Sequence, residues 1–187
     1  MTKTAYTDTY TRFAIGLHWL MALALIANLV LGLSMADLPR SPQKLQLFAW
    51  HKWAGMTLLA LVTLRLLWRV THPVPHALPN TPAWQARAAN FAHFGLYLLM
   101  FAIPLSGWLM SSAGGFQVVY LGILPLPDLV GKNKALFESL KEIHETLNYA
   151  MLALVIAHAA AALKHHWLDR DPTLARMLPW LARTNRH

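Results

Sequence analysis

Leu140-Lys141-Glu142-Ile143-His144-Glu145-Thr146 leads, through uninterrupted apolar sequence, to His158-Ala159-Ala160-Ala161-Ala162-Leu163-Lys164-His165-His166. Two histidines thus stand 14 residues apart in one apolar stretch. In a helix, those 14 steps bring the second imidazole to within roughly 40° of the first and about 21 Å along the axis. Both rings then point to one side of a membrane helix, one near each bilayer face. A histidine in hydrocarbon is costly and marks a functional site by default. Two in register require partners on other helices, and His18 and His51 lie in apolar stretches that can supply them. Four such imidazoles point to two stacked haems.

The composition agrees with a membrane protein. Of 187 residues, 56% are hydrophobic and 13% charged, about half the charge of an ordinary soluble domain. With no cysteine, thiol catalysis, disulfides, iron–sulfur clusters and thiolate haem ligation are excluded. The net charge of +8 would point to nucleic acid in a soluble chain. Here the basic residues flank apolar segments, so the partner is membrane lipid and no nucleic acid is expected.

Four spans of about twenty residues are expected: Phe13–Met35, Leu47–Val70, Trp84–Met110 and Leu140–Trp167. Together they make an all-α membrane protein, a four-helix bundle forming a single domain over residues 1–187. Proline-containing turns separate the first three spans, and an apolar loop, Gly114–Lys134, is expected to lie on or dip into the outer interface. Ser34-Met35-Ala36 resembles a signal-peptidase site, but the preceding run is long and cleavage would discard His18, so span 1 is read as retained.

Basic residues set the orientation. With the N-terminus inside, the cytoplasmic side holds Lys3, Arg12, Arg65, Arg69, Arg87, Lys164, Arg170, Arg176, Arg183 and Arg186. The opposite side holds Arg40, Lys44, Lys52, Lys132, Lys134 and Lys141. Ten against six places both termini, and the 168–187 tail, in the cytoplasm.

This topology fixes the pairs by depth: His18 with His158 on the cytoplasmic side, His51 with His144 on the periplasmic side. Each pair joins span 4 to a different helix, as axial ligands on opposite faces of one porphyrin must. Ligation by two histidines fills both axial positions, which suits electron transfer better than oxygen binding. Gly55 and Ala22, each one turn beyond a histidine, leave room for a macrocycle. Arg65, 14 residues after His51, reaches the depth of the inner haem. It either meets a propionate there or snorkels to the interface with Arg69.

The remaining histidines carry less. His93 is expected to make a structural hydrogen bond, with a quinone contact as the alternative, and Trp108 and Arg87 are further quinone candidates. His165 and His166 read as interfacial, and His72, His76 and His187 carry no signal. No histidine follows His144-Glu145 at zincin spacing, and Glu145 is expected to pair with Lys141 one turn back.

On these residues the chain resembles the bacterial cytochrome b561 family of four-helix di-haem b proteins. The resemblance rests on Ile15-Gly16-Leu17-His18-Trp19-Leu20, His51-Lys52 with Gly55, and Arg65-Leu66-Leu67-Trp68-Arg69. It continues through His93-Phe94-Gly95-Leu96-Tyr97-Leu98, Pro104-Leu105-Ser106-Gly107 and the span-4 stretch quoted first. It implies two haem b groups, ubiquinone as bound substrate, and a multi-pass protein of the bacterial inner membrane. The relatives it most resembles are of the superoxide:ubiquinone oxidoreductase type, taking electrons from periplasmic superoxide. Others of the wider fold are cytochrome subunits that anchor a dehydrogenase or hydrogenase, and a homo-oligomer is compatible with either. The alternative from another class is a haem-free helical membrane protein. For a superoxide donor, Lys52, Lys132, Lys134 and Lys141 are candidates to steer the anion to the outer mouth.

Overall fold

A computed structural model describes residues 9–75, 78 and 81–183. Lys3, His76, Arg186, His187 and the Arg183 side chain lie outside the described residues. Four helices dominate: α1 (Arg12–Ala36), α2 (Pro42–Thr71), α3 (Ala83–Ala113) and α4 (Lys134–Trp167). Each is long and apolar enough to cross a membrane. Their side chains are arranged as lipid demands, with Leu23, Leu67, Phe91 and Ile156 turned outward and few residues fully buried.

Local chemistry sets the helix ends. Thr11, Ser41 and Asn133 each accept a hydrogen bond from a backbone N–H in the first turn of α1, α2 and α4, and Pro42 opens α2. At the far end of α1, Lys44 Nζ donates to Ala36 O at 3.0 Å and Leu38 O at 2.5 Å, closing the turn into α2.

The chain between α3 and α4 forms a β-hairpin, β1 (Val119–Tyr120) and β2 (Leu124–Pro125), paired Val119 with Pro125 and Tyr120 with Leu124. Its three-residue loop needs two left-handed residues, Leu121 (φ 53°) and Gly122 (φ 74°), the pattern of a type I′ turn, closed by Ile123 N donating to Tyr120 O. The hairpin packs on α2: Trp53 Nε1 donates to Val119 O at 2.7 Å, and Tyr120 Oη lies 2.9 Å from Thr57 Oγ1. Thr57 lies well inside the expected second span, so this non-helical segment lies against a helix, with Val118 O, Val119 O and Tyr120 O accepting hydrogen bonds.

Helices α1 and α2 pack together, as do α2 with α3 and α3 with α4. Leu17, Met21 and Val62 form the buried core between the first two, with Tyr97, Met100 and Phe101 of α3 against them. Helix α4 makes no comparably close backbone approach to α1 or α2, which leaves a gap between it and that pair. The tail after α4 returns to the start of α1, where Trp19 Nε1 donates to Met177 O at 2.9 Å. The described ends of the chain thus share one end of the bundle, the termini end, and the hairpin occupies the other.

Candidate functional site

The gap beside α4 is bridged at two levels by facing imidazoles. His18 of α1 and His158 of α4 have ring centroids 6.3 Å apart at the termini end. His51 of α2 and His144 of α4 are 6.3 Å apart at the hairpin end. All four rings are half-buried. Two imidazole–metal bonds of about 2 Å, plus about 1 Å from each nitrogen to its ring centre, total about 6 Å. The separation therefore fits one metal between each pair, where α4 stands off from α1 and α2. The donor set is all imidazole, which suits haem iron.

At the hairpin end, contacts beyond the pair fix each ring. His51 Nδ1 lies 3.2 Å from Asn28 O of α1, and His144 Nδ1 lies 3.0 Å from Ile103 O of α3. A carbonyl only accepts, so Nδ1 carries the proton in both rings and Nε2 presents its lone pair. One turn beyond each carbonyl is a glycine that makes room for the ring. A Cβ at Gly32 would lie 3.0 Å from His51 Cε1, and one at Gly107 would lie 3.1 Å from His144 Cε1. Gly55 faces open space, since a Cβ there would meet only Asn28 Nδ2, at 3.9 Å. The Asn28 Oδ1 atom is buried without a hydrogen-bond partner.

The termini-end pair is held differently. Neither His18 nor His158 has a hydrogen-bond partner among the described residues, and His93 lies against His158 with centroids 5.5 Å apart. Among the described residues His93 makes this ring contact and not the structural hydrogen bond expected of it. Arg65 Nη1 donates to Ala14 O at 3.0 Å, one turn before His18. The guanidinium is turned into the bundle beside that pair and lines a cavity with Tyr10, Leu17, Trp68, Arg69 and Tyr97.

Several other expectations change. Lys52 is directed inward, with Nζ 3.2 Å from Ser111 Oγ and 3.4 Å from Phe116 O, so it ties the loop base to α2. Lys132, Lys134 and Lys141 are exposed at the hairpin end. Among the described residues Lys141 and Glu145 form no ion pair; the ion pairs present join Lys164 and His165 to Asp169 and Asp171. Trp108 donates to Pro127 O and is committed to the loop. Gly32, Gly107, Asn28 and Ser106 escaped the sequence reading as ring partners. The shared signal was a glycine four residues beyond the accepting carbonyl on both neighbouring helices.

The model of the prokaryotic cytochrome b561 family matches residues 9–180. Cytochrome b561 homolog 2 of Escherichia coli (strain K12) is 33% identical, over 93% of this chain and 95% of that protein. Cytochrome b561 homolog 1 of the same organism is 32% identical, over 92% and 98%. A Yersinia pestis protein named "Probable superoxide oxidase CybB" is 30% identical, over 91% and 96%. With four membrane-length helices and a match across nearly its whole length, this chain belongs to the prokaryotic cytochrome b561 family of membrane electron-transfer proteins.

Proposed function

We propose that this protein carries electrons across the bacterial inner membrane between a periplasmic one-electron donor, superoxide in the leading case, and the ubiquinone pool. The observation that carries the reading is the doubled geometry: two histidine pairs, each 6.3 Å apart and both completed by α4. His18 and His158 hold one haem b, and His51 and His144 hold the other. Each haem supplies a one-electron couple at its iron when bound. Both termini lie in the cytoplasm, as the basic residues favour.

The residues around the sites have separate tasks. Asn28 O and Ile103 O keep the proton on Nδ1 of His51 and His144, so that Nε2 faces iron. Arg65 provides a cation for a propionate at the termini-end site. The hairpin and Trp53 cover the side of the bundle near the donor end and keep the site dry. In balance, two superoxide anions each lose one electron and leave as dioxygen. One ubiquinone gains both electrons and two protons to become ubiquinol.

The test is direct. Purified protein should show a reduced-minus-oxidised b-type spectrum with two haems per chain. His144→Ala and His158→Ala should each remove one haem, and the double variant both. Superoxide should then reduce the wild-type protein, and a ubiquinone analogue should reoxidise it. Retention of both haems in the double variant would reject the assignment, and a di-haem protein inert to superoxide would reject the donor.

A further inference from the structure

The two histidines facing each other at the hairpin end are supported unequally. His51 has one partner behind it, Asn28 O at 3.2 Å. His144 has two, Ile103 O at 3.0 Å and Ser106 Oγ at 2.9 Å. Ser106 is 6% exposed, and its hydroxyl donates to Ile103 O at 2.8 Å. With that proton directed at the carbonyl, the Ser106 oxygen turns a lone pair toward His144 Nδ1–H. The ring also has little room to retreat, because Gly107 lies against Cε1. Ile103, Ser106 and Gly107 thus form a cradle on one turn of α3, the turn that contains Pro104.

We propose that Ser106 is a positioning residue that strengthens His144 as an iron ligand and so lowers the reduction potential of the hairpin-end haem. The inference rests on the bis-histidine reading above and adds a residue-level control to it. A second acceptor on Nδ1–H increases the electron density that the ring can donate through Nε2. A stronger donor favours ferric over ferrous iron, and outer hydrogen bonding is an established lever on such potentials. The termini-end pair has no such hydroxyl partner among the described residues, so it serves as an internal reference.

The experiment is an equilibrium redox titration of the full-length protein in wild-type, Ser106→Ala and Ser106→Thr forms, with haem stoichiometry measured on each. The hairpin-end couple is assigned as the one absent from His51→Ala. Ser106→Ala should raise the reduced-to-oxidised ratio of that haem roughly two- to tenfold at a fixed ambient potential, the weight of one net hydrogen bond. The other couple should stay in place, and Ser106→Thr, which keeps the hydroxyl, should restore the wild-type ratio. Two bound haems with both couples unmoved in Ser106→Ala overturn the proposal. A shift that Ser106→Thr fails to reverse also overturns it, since that is the mark of packing. Should Ser106→Ala lose the haem, the threonine variant decides: a wild-type couple supports the proposal, a shifted or missing one overturns it. A wild-type protein with fewer than two haems refutes the underlying reading instead, before any variant is compared.

Discussion

Gly32 of α1 lies so close to His51 of α2 that an added Cβ would stand 3.0 Å from Cε1 and 3.4 Å from Nδ1. Gly107 of α3 stands in the same relation to His144, at 3.1 and 3.4 Å. Helix interiors ordinarily disfavour glycine by about 0.5–1 kcal/mol relative to alanine. At these two positions the ring takes the space that a side chain would need. Gly32→Ala and Gly107→Ala should each weaken retention of the hairpin-end haem about tenfold, as disturbed outer partners do at metal sites. Haem transfer to a competing apoprotein measures this. Gly16→Ala, where an added Cβ meets nothing within 4 Å, is the control and should leave both haems in place.

Arg65 offers a second point of attack. Its guanidinium sits beside the His18–His158 pair and bonds Ala14 O. A nearby cation favours the less positive, reduced iron. Arg65→Leu should therefore lower the potential of the termini-end haem and leave the other where it is. Arg65→Lys keeps the charge and should shift it less. A redox titration in which Arg65→Leu leaves both couples unchanged removes Arg65 from the site.

The lysines at the hairpin end separate into two kinds. Lys132, Lys134 and Lys141 are exposed, whereas Lys52 is bonded into the loop base. Replacing the three exposed lysines with glutamine should slow reduction by superoxide and flatten its dependence on ionic strength, because steering by surface charge is screened by salt. Lys52→Gln should leave that salt dependence intact and loosen the loop. Stopped-flow rates at two salt concentrations distinguish these outcomes, and an unchanged slope in the triple variant ends the steering idea.

Beyond α4 the tail is held by a polar cluster. His165 Nδ1 lies 2.8 Å from Asp171 Oδ2, and Thr173 N donates to Asp171 Oδ1 at 2.8 Å. Burial pushes the Asp171 carboxyl up, but hydrogen bonds from Thr173 and His165 outweigh it and leave it below the ordinary carboxylate range. A depressed carboxylate contributes stability that is fully present above its unfolded value, near 4, and lost as pH falls through the lower folded value. Hydrogen exchange across residues 169–177 should therefore stay slow from neutral pH to about 5 and quicken below about 4 after correction for intrinsic rates. Asp171→Asn should quicken it at neutral pH.

Much of the fold could be read directly from the residues. Long apolar runs and two histidines 14 apart in one helix leave few alternatives, because hydrocarbon forces helices and penalises unpaired polar rings. The facing of His18 with His158, and of His51 with His144, followed from depth alone. The ring supports did not. Whether a carbonyl such as Asn28 O or Ile103 O meets an imidazole depends on the rotation of a neighbouring helix, and backbone oxygens carry no signature in a sequence. Lys52 misled because a lysine near the expected start of a span ordinarily faces water, yet α2 begins earlier, at Pro42, and the loop base supplies Ser111 Oγ and Phe116 O as acceptors. The hairpin was hidden for a similar reason: its short strands gain their place from Trp53 and Thr57, over sixty residues earlier in the chain.

Helix α4 contains neither glycine nor proline from Lys134 to Trp167 and bears one imidazole of each pair. A single stiff rod thus acts as the ruler for both histidine pairs. Whatever docks, binds or titrates at either end, the spacing between those levels is set by the regular rise of one continuous helix. A tunnelling step between them would keep a constant path, and regulation would have to act on the driving force.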